Sequence, residues 1–153
     1  MRTDRPRTSL TCHLARGLLA AALLAAAITA HATDIAWRQV TTKKAELNEK
    51  FARQGTATLR GGEEATVQTE GTLGAKDAKG LQTYKAKSVL RFKDKSTITI
   101  QYSGAFDVAT YANRGSGQIV DGTGRFAGIK GKVTFDGRVR ESDWTGSYTQ
   151  SAK

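Results

Sequence analysis

Between Leu81 and Lys93 the side chains alternate, with Tyr84, Ala86, Ser88, Leu90 and Phe92 on one face and Lys85, Lys87, Val89, Arg91 and Lys93 on the other. A period of two is that of a strand buried on one side. The same period recurs after a turn at Asp94-Lys95, where Ile98, Ile100 and Tyr102 alternate with Thr97, Thr99 and Gln101. It predicts further strands around Phe106, Val108 and Thr110, from Gly115 to Val120, around Val133 and Phe135, and through Trp144 and Tyr148. Upstream, Thr56–Arg60 and Ala65–Glu70 flank Gly61-Gly62 as a hairpin, with Gly71, Gly74 and Gly80 as punctuation after it. Thr33–Val40, carrying Ile35 and Trp37, reads as a first strand. One stretch breaks the pattern. Leu47 and Phe51 are four apart, and Glu46/Lys50 and Glu49/Arg53 are Glu-first pairs at i,i+4, which predicts a short helix over 43–53 docked on the rest.

Turn signals every 8 to 12 residues or so indicate a sandwich or barrel rather than βαβ units, and the short connections favour an antiparallel meander. The chain is 153 residues long with 16 Gly and one Pro, which fits a single all-β domain with tight turns.

The N-terminal segment is of another kind. Arg2, Arg5, Arg7 and Arg16 precede an uncharged run from Gly17 to Ala30, and Ala30-His31-Ala32 is a small-x-small cleavage site. The run is shorter than the roughly 20 residues a membrane span needs. The expectation is a signal peptide at 1–32, a single domain at 33–153 and a periplasmic or secreted location with no membrane-spanning segment after cleavage. Cys12 lies ahead of the apolar run, away from the place a lipid-modified cysteine would occupy.

Removing residues 1–32 takes four Arg and one Asp and lowers the formal charge from +10 to +7. It also takes every His, Cys, Met and Pro of the chain. Without imidazole or thiolate, residues 33–153 can build neither a Ser-His-Asp triad, a thiol nucleophile, a disulfide nor an ordinary zinc site. No cofactor is expected. Catalysis would fall to Asp, Glu, Lys, Arg, Tyr and Ser.

The most specific stretch is Gly115–Phe135. Its glycines at 122, 124 and 128 give GxGxxxG, which is neither the dinucleotide pattern nor a P-loop, and no helix follows to face a phosphate. Glycines so spaced suit positive φ, bulges and close backbone approach. The run Gly122-Thr123-Gly124-Arg125-Phe126-Ala127-Gly128, with Gly131 and Val133, resembles the G-[S/T]-G-x-F-x-G-x-x-G motif of the allene oxide cyclase barrel family, and more loosely a segment of the related dirigent proteins. Many small exported bacterial proteins resemble the same pattern. The resemblance implies an antiparallel eight-stranded, calycin-like barrel able to hold a small apolar molecule. The pocket residues of the plant cyclases and dirigent proteins find no aligned positions here.

Three sets of residues are candidates for function. Trp37, Tyr102, Phe106, Phe135 and Trp144 could line a ligand cavity, although small barrels often fill themselves with such side chains. Lys85, Lys87, Arg91 and Lys93 form a basic stripe, either an anion-binding surface for glycan or lipid headgroups or a solvated face. Glu70, Asp107, Asp121 and Asp143 are the carboxylates to examine for an inward position, which a cofactor-free isomerase or cyclase would need. Nucleic acid is disfavoured, because no aromatic is interleaved with the lysines to stack on bases. The expected function is therefore a non-catalytic exported barrel that holds a small hydrophobic molecule, with a pocket-carboxylate isomerase and a basic-surface interaction module as the alternatives.

Overall fold

The computed structural model describes residues 31–151, so the proposed signal peptide, apart from its last two residues, lies outside the described residues. Eight strands follow one another as β1 (Thr33–Leu47), β2 (Lys50–Leu59), β3 (Glu64–Lys76), β4 (Leu81–Phe92), β5 (Thr97–Asp107), β6 (Ala112–Thr123), β7 (Ile129–Arg138) and β8 (Glu141–Gln150). Each pairs antiparallel with its neighbour, and β8 returns to β1 from Thr33↔Tyr148 to Val40↔Glu141, closing the sheet into a barrel. Closure leaves no free edge strand.

The helix expected over 43–53 is absent. Lys43–Leu47 completes β1 and Lys50–Arg53 opens β2, paired from Lys43↔Gln54 to Leu47↔Lys50 around Asn48-Glu49. The Glu-first pairs that suggested a helix stabilise by only about 0.2–0.5 kcal/mol each. The ladder competes with a side chain, Phe51, that is 4% exposed inside the barrel and stabilises by about 1.5–3 kcal/mol when buried. Asn48, at φ 56°, supplies the left-handed residue of a tight hairpin. Two further expectations change. Gly71 and Gly74 lie within β3 rather than punctuating it. Val108–Thr110 form the β5–β6 turn instead of a strand, because the Asp107 carboxylate accepts the N–H groups of Ala109 at 2.8 Å and Thr110 at 3.0 Å.

The two ends of the barrel differ. At the end carrying the β2–β3, β4–β5 and β6–β7 turns, Ala57, Leu90, Ile98, Ile100 and Ile129 are fully excluded from solvent. Over them the motif segment forms a plug. Gly124–Phe126 is a single 3-10 turn, and the Phe126 ring lies 4.9 Å from that of Phe92. The Arg125 guanidinium covers both rings, at 4.9 and 4.7 Å, and pairs with Glu63 at 2.5 Å and Asp94 at 3.5 Å. One arginine thus ties three turns together.

The plug needs its glycines. Gly124 sits at φ 61° with Ser96 Cβ 2.8 Å from where a side chain would begin, and Gly128 sits at φ 79° in looser surroundings. The left-handed penalty predicts that Gly124→Ala and Gly128→Ala each cost about 1–2 kcal/mol, the Ser96 contact making Gly124→Ala the worse. Melting curves of the two variants without ligand check this; unchanged midpoints would contradict the structural role.

Candidate functional site at the open end of the barrel

The opposite end carries the β1–β2, β3–β4, β5–β6 and β7–β8 turns, and its interior is aromatic with interspersed polar groups. Trp37, Phe135 and Trp144 stack, with Trp144 centred 5.1 Å from Trp37 and 4.3 Å from Phe135, while Tyr102 meets Trp144 edge-on at 4.9 Å. Tyr84 joins Phe51 at 6.0 Å and Phe106 at 6.2 Å. The five residues expected to line a cavity all face inward, and they pack largely on one another. Tyr102 and Phe106 keep partial exposure.

Room for the rings comes from inward glycines. A Cβ at Gly115 would lie 2.4 Å from the Phe135 ring, and one at Gly71 2.3 Å from the Phe51 ring. The aromatic on one strand therefore covers the glycine on the next.

Most polar groups here are satisfied in pairs. Tyr84 donates to Asn113 Oδ1 at 2.8 Å, Trp144 Nε1 donates to Ser142 Oγ at 2.9 Å, and Thr69 and Ser88 share a 2.6 Å bond, with Ser88 also 3.3 Å from the Tyr102 hydroxyl. Burial pushes the Tyr84 phenol well above its ordinary range, with Tyr102 adding to the shift and the Asn113 bond opposing it. Burial also raises Tyr102, against the bonds from Ser88 and Thr69. Both are neutral phenols at physiological pH. A raised folded-state value means that stability is intact below about pH 10, where unfolded tyrosine ionises, and falls as the pH rises above it. Tyr84→Phe should accordingly flatten the alkaline decline of the melting temperature; an unaltered slope would show that this phenol contributes nothing to it.

Three buried polar atoms have no partner among the described residues: Trp37 Nε1, Gln39 Oε1 and Arg53 Nε. On β1, Trp37 lies opposite Leu59 and Gln39 opposite Ala57 of β2, deeper in the barrel, whereas Arg53 lies opposite Lys44, nearer the open end. Trp37 and Gln39 are successive inward positions on β1, Gln39 lies opposite Ser142 of β8, and Arg53 of β2 reaches across to donate from Nη1 to the Val139 carbonyl at 3.3 Å in the β7–β8 turn. The Arg53 guanidinium also lies 4.7 Å from the Phe51 ring centre. Leaving a buried donor or acceptor unpaired costs about 1–3 kcal/mol.

Among the described residues no carboxylate forms an ion pair with Arg53. Glu70, Asp121 and Asp143 are exposed on the outer wall, and Asp107 is engaged in its turn, whose N–H groups hold its carboxyl below the usual carboxylate range. The remaining Asp and Glu among the described residues are exposed as well. Acid-base catalysis by an interior carboxylate therefore has no group to work with here. No cluster of metal-ligating side chains occurs among the described residues, and none of their helices is long and apolar enough to cross a membrane.

In the basic stripe, Lys85, Lys87 and Arg91 are exposed on the outward face of β4 and Lys93 is exposed in the turn that follows it. Arg53, by contrast, was hidden in the segment that resembles a helix. Its signal was the alternation Phe51, Arg53, Gly55, Ala57, Leu59, which continues the period of two seen downstream. Compared with family models and with curated proteins, the chain finds no match.

Proposed function

We propose that this chain is an exported, non-catalytic β-barrel that binds a small, largely apolar acid at the open end of the barrel, with the acid's carboxylate at Arg53. The observation that carries this reading is the inward Arg53, in no ion pair among the described residues and unpaired at Nε, over the Phe51 ring, with the unpaired Trp37 Nε1 and Gln39 Oε1 deeper in the barrel. The unpaired Arg53 N–H suits a carboxylate oxygen, and the unpaired Gln39 acceptor suits a hydroxyl on the same ligand. The fully packed half below the rings limits how deep such a molecule can go. Export is supported by the signal-like pattern of residues 1–32, and a binding barrel by the resemblance of Gly122–Val133 to the allene oxide cyclase barrel motif. N-terminal sequencing of the native protein should find a start near Thr33.

Binding is tested by following Trp37 and Trp144 fluorescence during titration with decanoate, its methyl ester and β-hydroxydecanoate. Decanoate should bind at least about tenfold more tightly than the ester, since a charge-assisted hydrogen bond is worth about 1.5–3 kcal/mol, and the hydroxy acid should bind more tightly still. Equal affinity for acid and ester would remove the role given to Arg53.

A further inference from the structure

The barrel's outer wall is dented where its glycines face inward. Gly71, Gly104, Gly115, Gly117 and Gly131 place no side chain in the core, and atoms of the neighbouring strand or of inward rings lie within 3 Å of each missing Cβ. The backbone there sits close to the barrel axis, and the outer surface above it is concave. Three concavities result, of about 350, 860 and 450 Å³. The first two share Lys85, Ser103 and Ser116, and the last two share Gln118 and Lys132, so they form one trough. It crosses β3 to β8, roughly 24 Å around the wall at the usual strand spacing.

Its chemistry is uniform. Gln101, Ser103, Ser116 and Gln118 offer amides and hydroxyls along the floor. Lys85 and Lys87 stand on one side and Lys132 on the other, and none of the three is in an ion pair among the described residues; the carboxylate in the trough is Glu70, opposite Lys87 in the β3–β4 register. The exposed large apolar side chains, Val40, Val108 and Tyr111, lie outside it. Tyr84, Tyr102 and Tyr148 border it from inward positions, Tyr148 partly exposed, and Val120 lines it as a partly exposed apolar side chain. The trough therefore offers little to insert into a bilayer and no fully exposed ring for a base to stack on.

We infer that this trough binds an acidic polysaccharide, its carboxylates on Lys85, Lys87 and Lys132 and its hydroxyls on the amide and hydroxyl floor. A chain of sugars matches an elongated polar groove whose cations are spread along it rather than gathered on one point. The site is separate from the Arg53 end and does not depend on what binds there.

The test is calorimetric titration of the purified protein with polygalacturonate, with neutral dextran, and with phosphatidylglycerol vesicles. Polygalacturonate should bind, weakening steeply toward about 0.5 M salt, while dextran and vesicles should not. The variant Lys85→Gln/Lys87→Gln/Lys132→Gln should lose about tenfold or more in affinity, three exposed ionic contacts being removed. The variant Lys43→Gln/Lys50→Gln/Lys79→Gln removes the same charge away from the trough and should bind like the parent. Equal loss in both variants would mean net charge alone is sensed and would overturn the site. Binding to vesicles in preference to polygalacturonate, or to neither, would overturn the ligand.

Discussion

Trp144→Ala should cost this barrel about 3–5 kcal/mol, the range for removing a large buried aromatic, against a total stability of about 5–15 kcal/mol. Trp144 is 2% exposed and stacks on Trp37 and Phe135 while Tyr102 abuts its ring edge. Its loss strips three aromatic neighbours of a partner and leaves the Ser142 hydroxyl without its 2.9 Å donor. The inward glycines cannot close the gap, because their strands are already in contact with the rings. Chemical denaturation reads the effect directly. A midpoint close to the parent's would mean the open end collapses to fill the void, and that the ring stack does not hold the barrel together. Trp144→Phe, which keeps most of the stack, should recover more than half of the loss.

The second large effect concerns binding. Arg53→Met should weaken decanoate binding about 30-fold, the equivalent of roughly 2 kcal/mol for one charge-assisted hydrogen bond. Its stability should move the other way. Arg53 is a partly buried cation that, among the described residues, has no ion pair and an unpaired Nε, held by one long bond to Val139 and by the Phe51 ring. Methionine keeps the apolar stem without the desolvation cost of the charge, and such replacements are often neutral or stabilising. A melting temperature equal to or above the parent's, with binding lost, marks a residue retained for its ligand. A drop of several degrees would instead make Arg53 a structural residue that braces the β7–β8 turn.

Much of the barrel can be read along the chain because its interior and exterior differ so plainly in polarity. On β4 the alternation of Tyr84 to Phe92 against Lys85 to Lys93 is the observed division between inside and outside. The reading stops where two periods compete. Lys43–Arg53 carries charges at helical spacing and apolar groups four apart, and only the pairing of β1 with β2, a contact no local pattern encodes, decides it. The inward glycines are a second blind spot. Gly71 looks like a turn residue until the Phe51 ring is seen over it, and Gly74, exposed within the same strand, lies against the Thr83 hydroxyl. The candidate site was legible in part for the same reason. Aromatics announce themselves as interior, whereas an arginine on the interior face of a strand reads as surface until the strand's phase is known.

Nuclear magnetic resonance of the two indole N–H groups tests the central claim most directly. Trp37 Nε1 has no partner among the described residues, whereas Trp144 Nε1 is bonded to Ser142. On titration with decanoate, the Trp37 indole and the Arg53 Nε–H resonances should move together and saturate at the same concentration, as the carboxylate meets Arg53 and the rest of the ligand reaches Trp37, while the Trp144 indole shifts much less. Saturable binding that leaves the Trp37 and Arg53 signals in place would contradict the assignment of the ligand to the open end of the barrel.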